Sequence, residues 1–461
     1  MGERESGLFF QRDFGAAEFA ARRARVCAAV GRGVVVVASA EEVRGFDPVR
    51  QDNDFYYLAG VDSPHAYLTI DAGTGKSVLY LPPRNEKHEK SDGPTLCDED
   101  GAFVLSRTGI DEVRPMSRLV GDVSNLGVVW VARAAGEGYR QCQDTLRHHA
   151  RSVAADPLDG RLSRETHLMA RLATLSPRAE FRDVSPVLQR LRLVKSAAEV
   201  EVMRRAGRLA AVACAEAMRS TAPGVFEFQL GAVADYVYAI NGAQGQGYRP
   251  IIAGGKNIWM MHYWRNNCRL ADGDLVILDC APDWNNYTSD IGRMWPVNGT
   301  FSAVQRELYG FVLAYHKVLL SLVRAGRTKA EVLAEGAAKM QPILEGWKWS
   351  RPIYRAAAVK LLESKRPLSH GVGMAVHEAA DWAGPGLDEP MAAGLVFAVD
   401  PELFIPEEET YIRVEDTVVV TEGGCENLTA ECPAEVGEIE ALMREKGLLQ
   451  GCPAVMGNAG R

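Results

Sequence analysis

Short apolar runs and amphipathic stretches alternate along the first third of the chain. Val34–Ala38, Ala66–Ile70, Ser77–Leu81 and Gly127–Val131 are β-branched or apolar runs bounded by Gly, Pro and Asp, which predicts strands; Phe14–Val30 and Tyr139–Arg151 carry helical spacing. Together they predict an α/β unit of roughly 150 residues with its own core. Polar, Pro-containing sequence at Ala155–Arg164 and Ser176–Pro186 reads as connector. Ser196-Ala197-Ala198-Glu199 is a capping-box pattern, and Val200, Met203, Gly207 and Ala210 recur at helical spacing, so a helix is expected to run to about Met218. Beyond it helices mix with strands at Leu275–Asp279, Tyr287–Pro296, Leu395–Asp400 and Ile412–Thr421, with no repeat of longer period.

Composition adds bounds. Of the 461 residues, 47% are hydrophobic and 24% charged, enough for a large core. Sixty acids against 52 bases give −8, a balance that argues against a dedicated nucleic-acid binder. The longest purely aliphatic stretch, Val34–Val37, is far short of the roughly 20 residues a membrane span needs. Met1–Arg25 is studded with Glu and Arg and predicts no secretory signal. Met1-Gly2 with Ser6 fits the bare myristoylation pattern, but Glu3 and Glu5 weigh against it. The nine cysteines form no Cys-x-x-Cys pair, which points to reduced thiols in the cytoplasm and leaves oxygen and nitrogen to hold any metal.

The informative feature is where the acids fall. Leu275-Val276-Ile277-Leu278 ends on Asp279, and Asp290 follows eleven residues later in Ser289-Asp290-Ile291-Gly292-Arg293. Leu395–Val399 runs into Asp400, and Ile412-Arg413-Val414-Glu415-Asp416 leads into Thr417–Val420. Ionised carboxylates on apolar strands are costly unless paired or bound to a cation. Arg293 and Arg413 are two candidate neutralisers and metal is another; His370 and His377, seven residues apart, are too far for a one-turn ligand pair and invite separate roles.

This composite resembles the aminopeptidase P (Xaa-Pro aminopeptidase) branch of the pita-bread metallopeptidases. Asp274–Asp279 and Ser289–Arg293 resemble its first two ligand motifs, Ser369-His370 through Val376-His377-Glu378 its histidine motif, Val399-Asp400-Pro401 its Val-Glu-Pro motif, and Ile412–Asp416 its last. Met261-His262-Tyr263 resembles the segment bearing another active-site His, and Arg50–Gly60 is very similar to the N-terminal-domain signature.

The resemblance implies an α/β (α+β) fold: a creatinase/aminopeptidase P-like domain over 1–165, a connector over 166–189, a pita-bread catalytic domain over 190–448 and a tail over 449–461. It implies release of the N-terminal residue from peptides with proline second, by a hydroxide bound to two divalent ions, with Mn²⁺ foremost and Co²⁺, Fe²⁺ or Zn²⁺ as substitutes. Asp290 and Glu415 are expected to bridge the ions, Asp279 to serve one, and His370 with Asp400 the other. His262 and His377 are expected on the substrate side as catalytic residues. Arg413 is expected to share a strand face with Glu415, Tyr248 to support the ligands, and Asp54 to reach an active site, often across a subunit contact. The remaining histidines, 65, 88, 148, 149, 167 and 316, match no motif and read as ordinary. The expected partner is a peptide, in a cytoplasmic homo-oligomer (dimer or tetramer), without nucleic acid or membrane. An Xaa-Pro dipeptidase and a non-catalytic peptide-binding protein on the same fold are the alternatives.

Three departures from the family pattern stand out. Asp400 replaces a Glu and Glu402 follows its Pro where Gly is common; Arg366 replaces a His; Ser91 replaces a Trp.

Overall fold

The computed structural model describes residues 12–42, 47–379 and 386–451. The myristoylation pattern, Cys452 and the tail beyond 451 lie outside them. The chain divides into two compact units, one running to Leu193 and taking in the segment from His377, the other holding Val194–Val376 and the C-terminal part.

The first unit is built on a six-stranded sheet in the order β4-β3-β2-β1-β5-β6, from β1 (Val34–Ala38), β2 (Tyr67–Asp71), β3 (Ser77–Leu81), β4 (Glu112–Pro115), β5 (Val128–Val131) and β6 (Glu180–Asp183). The hairpins β1-β2 and β2-β3 are antiparallel, while β4, β5 and β6 join in parallel. Val36, Val129 and Val131 pack with Val123 and Leu172 into one side of the core. The helix expected at Tyr139–Arg151 is Gln143–Ala155. Residues 166–189, expected as connector, fold instead: helix Arg164–Leu175 leads to β6 and then to helix Ser185–Leu193. The sequence Glu180–Asp183 lacks an apolar run because β6 is a sheet edge whose positions are exposed or half-buried.

In the second unit Ser196 caps helix Ala197–Ser220 as expected, its hydroxyl accepting from Glu199 N while Glu199 Oε2 accepts from Ser196 N. The main sheet runs β10-β11-β14-β9-β8-β7, from β7 (Ile251–Gly254), β8 (Leu275–Asp279), β9 (Ile291–Pro296), β10 (Leu368–Gly371), β11 (Val396–Val399) and β14 (Glu415–Val420), all neighbours antiparallel. β15 (Cys425–Asn427) adds to β14, and β12 (Glu402–Ile405) pairs separately with β13 (Thr410–Arg413). Every position of β8, β9, β11 and β14 is buried, which is why Leu275–Leu278 and β11 read as unbroken apolar runs and why the charges on β9 and β14 need partners. The expected strand Ile412–Thr421 is two strands. The chain leaves one ladder at Arg413 and enters the main sheet at Glu415, so Arg413 and Glu415 do not share a strand face. Tyr287–Asp290 likewise precede β9 as irregular, buried chain.

Candidate metal centre

Five strands of the main sheet bring a candidate ligand to one level, the seam where the ends of β8 and β9 overlap the ends of β14 and β11. Asp279 closes β8, Asp290 immediately precedes β9, Glu415 opens β14, Asp400 follows β11 and His370 lies on β10. Registration does the placing. Gly292 on β9 pairs with Asp279 on one side and with Glu415 on the other. A side chain there is excluded, because its Cβ would sit 2.8 Å from Glu415 Oε2 and 3.2 Å from Arg413 Nε. Val399 pairs with Asp416, so the next residues, Asp400 and Glu415, face one another as the ladder ends.

The four acids are all buried, Glu415 completely. Asp290, His370 and Glu415 each offer a ligand atom within 4.8 Å of the others. His370 Nε2 lies 3.5 Å from Asp290 Oδ2, and Nδ1 lies 3.2 Å from the Gly371 carbonyl. A carbonyl only accepts, so Nδ1 carries a proton toward Gly371, which leaves Nε2 as the ring nitrogen on the side of the acids. Tyr248 OH is 2.6 Å from both Asp279 Oδ1 and Asp290 Oδ1. Burial, then the two carboxylate charges, push its phenol well above the usual range, so it stays a donor.

Arg413 supplies the cation within this group. Its Nη2 lies 3.0 Å from Asp279 Oδ2 and also contacts Glu415 Oε2, while Nε lies 2.8 Å from Asp400 Oδ1. The Nε–Asp400 pair is close but misaligned for a hydrogen bond, and Glu415 Oε1 has no partner at all. Burial pushes the carboxyls of Asp400 and Glu415 up, Glu415 strongly, against the pull of Arg413. Burial, then the charge of Asp400, pushes Glu402 up to about 7. Buried carboxylate oxygens in excess of the available donors, with one imidazole nitrogen, fit a hard divalent cation.

A second layer stands behind. Thr417 Oγ1 accepts from Asp290 N at 2.8 Å and donates to Asp290 O at 2.8 Å. Arg293 donates to Asp416 Oδ1 at 2.6 Å and to the Glu415 carbonyl at 2.5 Å. It thus serves the sheet behind the acids and is not one of their neutralisers. His316, expected to be ordinary, is buried 3.2 Å from Asp416 Oδ2, and desolvation pulls it down to about 4. Lys329 Nζ donates to the carbonyls of Leu368 and Ser369, fixing β10 beside His370. No motif marks Thr417, His316 or Lys329. An acid directly following Glu415 on a buried strand is a signal for Asp416.

The other expected residues stand elsewhere. His262 lies on an exposed turn after Gly255–Trp259, near the exposed Trp264. His377 belongs to the first unit, its Nδ1 2.5 Å from Asp144 Oδ2. Burial opposes its protonation, but hydrogen bonds with Asp144 and Cys142 outweigh it and hold the ring up at about 10. Asp54 is bound by Arg192, whose Nη1 reaches it at 2.8 Å, while Nη2 meets Glu137 at 2.6 Å and Nε meets Glu378 at 2.7 Å. These three acids form a cluster on Arg192 within the first unit.

Comparisons with known proteins follow the same division. The chain matches the model of metallopeptidase family M24 over residues 201–422 and that of the aminopeptidase P N-terminal domain over 19–127. It is 32% identical to the Xaa-Pro aminopeptidase of Escherichia coli K12 over 436 residues, 90% of this chain and 94% of that one. The low-pH form of E. coli aminopeptidase P is 29% identical with a TM-score of 0.74, covering 94% of this chain and 98% of the other. Proline aminopeptidase P II from Yersinia pestis is 30% identical with a TM-score of 0.75, covering 94% and 100%.

Proposed function

Since the chain belongs to the aminopeptidase P branch of metallopeptidase family M24, and is accordingly a metal-dependent Xaa-Pro aminopeptidase, we propose the roles of its residues from the geometry above. Asp290 and Glu415 would be shared by two divalent ions, Asp279 would serve one of them, and His370 with Asp400 the other. The observation that carries this is the convergence of all five at the seam of a single sheet, with oxygens that the protein's own donors leave unsatisfied. An oxygen-rich set with one neutral imidazole favours Mn²⁺. Such ions supply activation of a water and polarisation of the scissile carbonyl.

The remaining steps belong to the chain's own groups. Tyr248 keeps Asp279 and Asp290 in one orientation through its hydroxyl, and Arg413 does the same for Asp279, Asp400 and Glu415. His262 and His377 act on the substrate, one donating to the carbonyl oxygen as negative charge develops there, the other serving the scissile amide. The Asp144 partner suits His377 to the donor role, because it keeps the ring protonated at neutral pH. The eight described cysteines are all thiols, which supports a reducing compartment, and we assign the cytoplasm. Among the described residues no helix is long and apolar enough to cross a membrane.

Initial rates on Xaa-Pro-Yaa tripeptides and on Xaa-Pro dipeptides test the reading. Release of Xaa from the tripeptides is expected, in a Mn²⁺-dependent manner. Cleavage of dipeptides alone would overturn it.

A further inference from the structure

Two residues after Asp400, Glu402 opens β12 with its carboxylate only 5% exposed. Its Oε1 has no hydrogen-bond partner, and its Oε2 lies 3.6 Å from Arg366 Nη2, a guanidinium that is 67% exposed and therefore a weak, solvated counterion. The residue directly across the ladder from Glu402 is Arg413. Paired residues of an antiparallel ladder project on the same face. Since Arg413 reaches Asp400, Asp279 and Glu415, Glu402 flanks the same guanidinium as the ligating acids.

Charge makes the membership consequential. Asp279, Asp290, Asp400, Glu402 and Glu415 are five buried acids, and among the described residues Arg413 is the buried guanidinium that pairs with carboxylates of the group. Fully ionised, the group carries a net four negative charges beside Arg413 with Glu402 and three without it. Asp400 is also the shortest carboxylate that position could carry.

We propose that Glu402 is a further ligand of the metal centre, giving a carboxylate oxygen to the ion that Asp400 serves, so that the short Asp400 and the buried Glu402 act as a pair. This rests on the reading of the centre given above. The test is Mn²⁺ binding by the full-length, chelator-stripped chain, read as free Mn²⁺ by electron paramagnetic resonance, for the wild type, Glu402→Gln, Asp400→Glu and the double variant. The wild type is expected to take two Mn²⁺, and Glu402→Gln to weaken one of them at least about tenfold. In the Asp400→Glu background, where the longer side chain reaches unaided, the same substitution is expected to cost under about twofold. If Glu402→Gln does not fold, Glu402→Asp, which keeps the charge and withdraws the oxygens, carries the same expectation.

Unchanged binding of both ions by Glu402→Gln overturns the inference while leaving the centre intact, and so does an equal loss in both backgrounds. Equal weakening by Arg366→Gln also overturns it, since Glu402 would then act only through its ion pair. A wild type that binds no Mn²⁺ sinks the centre itself.

Discussion

Each unit surrounds a buried arginine with three carboxylates, yet the two guanidiniums are used differently. Arg192 gives a separate nitrogen to each of Asp54, Glu137 and Glu378, all within 2.8 Å, and Asn53 adds a hydrogen bond to Glu137 at 3.1 Å. Arg413 spends Nη2 on two acids and presents Nε to a third at a poor angle, while Asp290 bonds Tyr248 and Glu402 sits across the β12–β13 ladder from it. Three acids on a fully used fork make a structural clasp. Five acids on a half-used one demand further positive charge. Reading a buried arginine thus requires counting which nitrogens are committed, not merely noting that acids are near.

The comparison fails first if the second cluster does not bind metal. Asp290→Ala or His370→Ala is expected to abolish metal loading and to cut peptide hydrolysis by well over the roughly hundredfold typical of losing an outer partner of a metal ligand. Metal content and circular dichroism check this, with Glu137→Gln expected to retain full metal content. Next, Arg192→Leu leaves two buried acids, Glu137 and Glu378, and the half-buried Asp54 uncompensated and is expected to cost about 3–5 kcal/mol in urea unfolding, with metal content again unchanged. Loss of metal in that variant would erase the distinction.

A third test uses pH on the metal-free chain. His316 has a folded pKa of about 4 against 6.5 in its reference state, so the unfolded chain binds the extra proton between those values. Its stability contribution is whole above pH 6.5 and is lost as pH falls toward 4, by something on the order of 3 kcal/mol. Urea midpoints at pH 7 and pH 5 check this, and His316→Gln is expected to flatten the difference. Last and smallest, Arg204 pairs with Glu426 at 2.6 Å with both side chains around two-fifths exposed, and Arg204→Ala is expected to cost less than about 1 kcal/mol.

What was readable in the sequence follows from these forces. An acid closing Leu275–Leu278, or opening a buried run at Glu415, announces itself because an apolar strand gives it no other reason to be there. The break at Val414 is invisible, because Ile412–Thr421 is one β-branched pattern and only the separate pairing of β13 with β12 divides it. Glu402 reads locally as nothing more than a changed turn; its burial comes from the partner strand. Asp54, Glu137, Arg192 and Glu378 span most of the chain with no spacing rule, so the clasp exists only in three dimensions. His316 lies on helix Ala303–Leu322 at a position where periodicity marks burial but cannot name the buried acid it meets.

The position of β14 has a consequence for how the protein is made. It is among the last strands synthesised, yet it lies between β9 and β11, in the middle of the sheet. Until residues 415–420 emerge and insert, β9 and β11 present open edges, the state in which chains pair wrongly with one another. Arg413 and Glu415 arrive together at that moment, so the compensating charge comes in step with the last ligand. A chain cut short before this point is left with both a gap in its sheet and an unfinished candidate ion site, and capture of an ion there becomes a record that translation has passed residue 420.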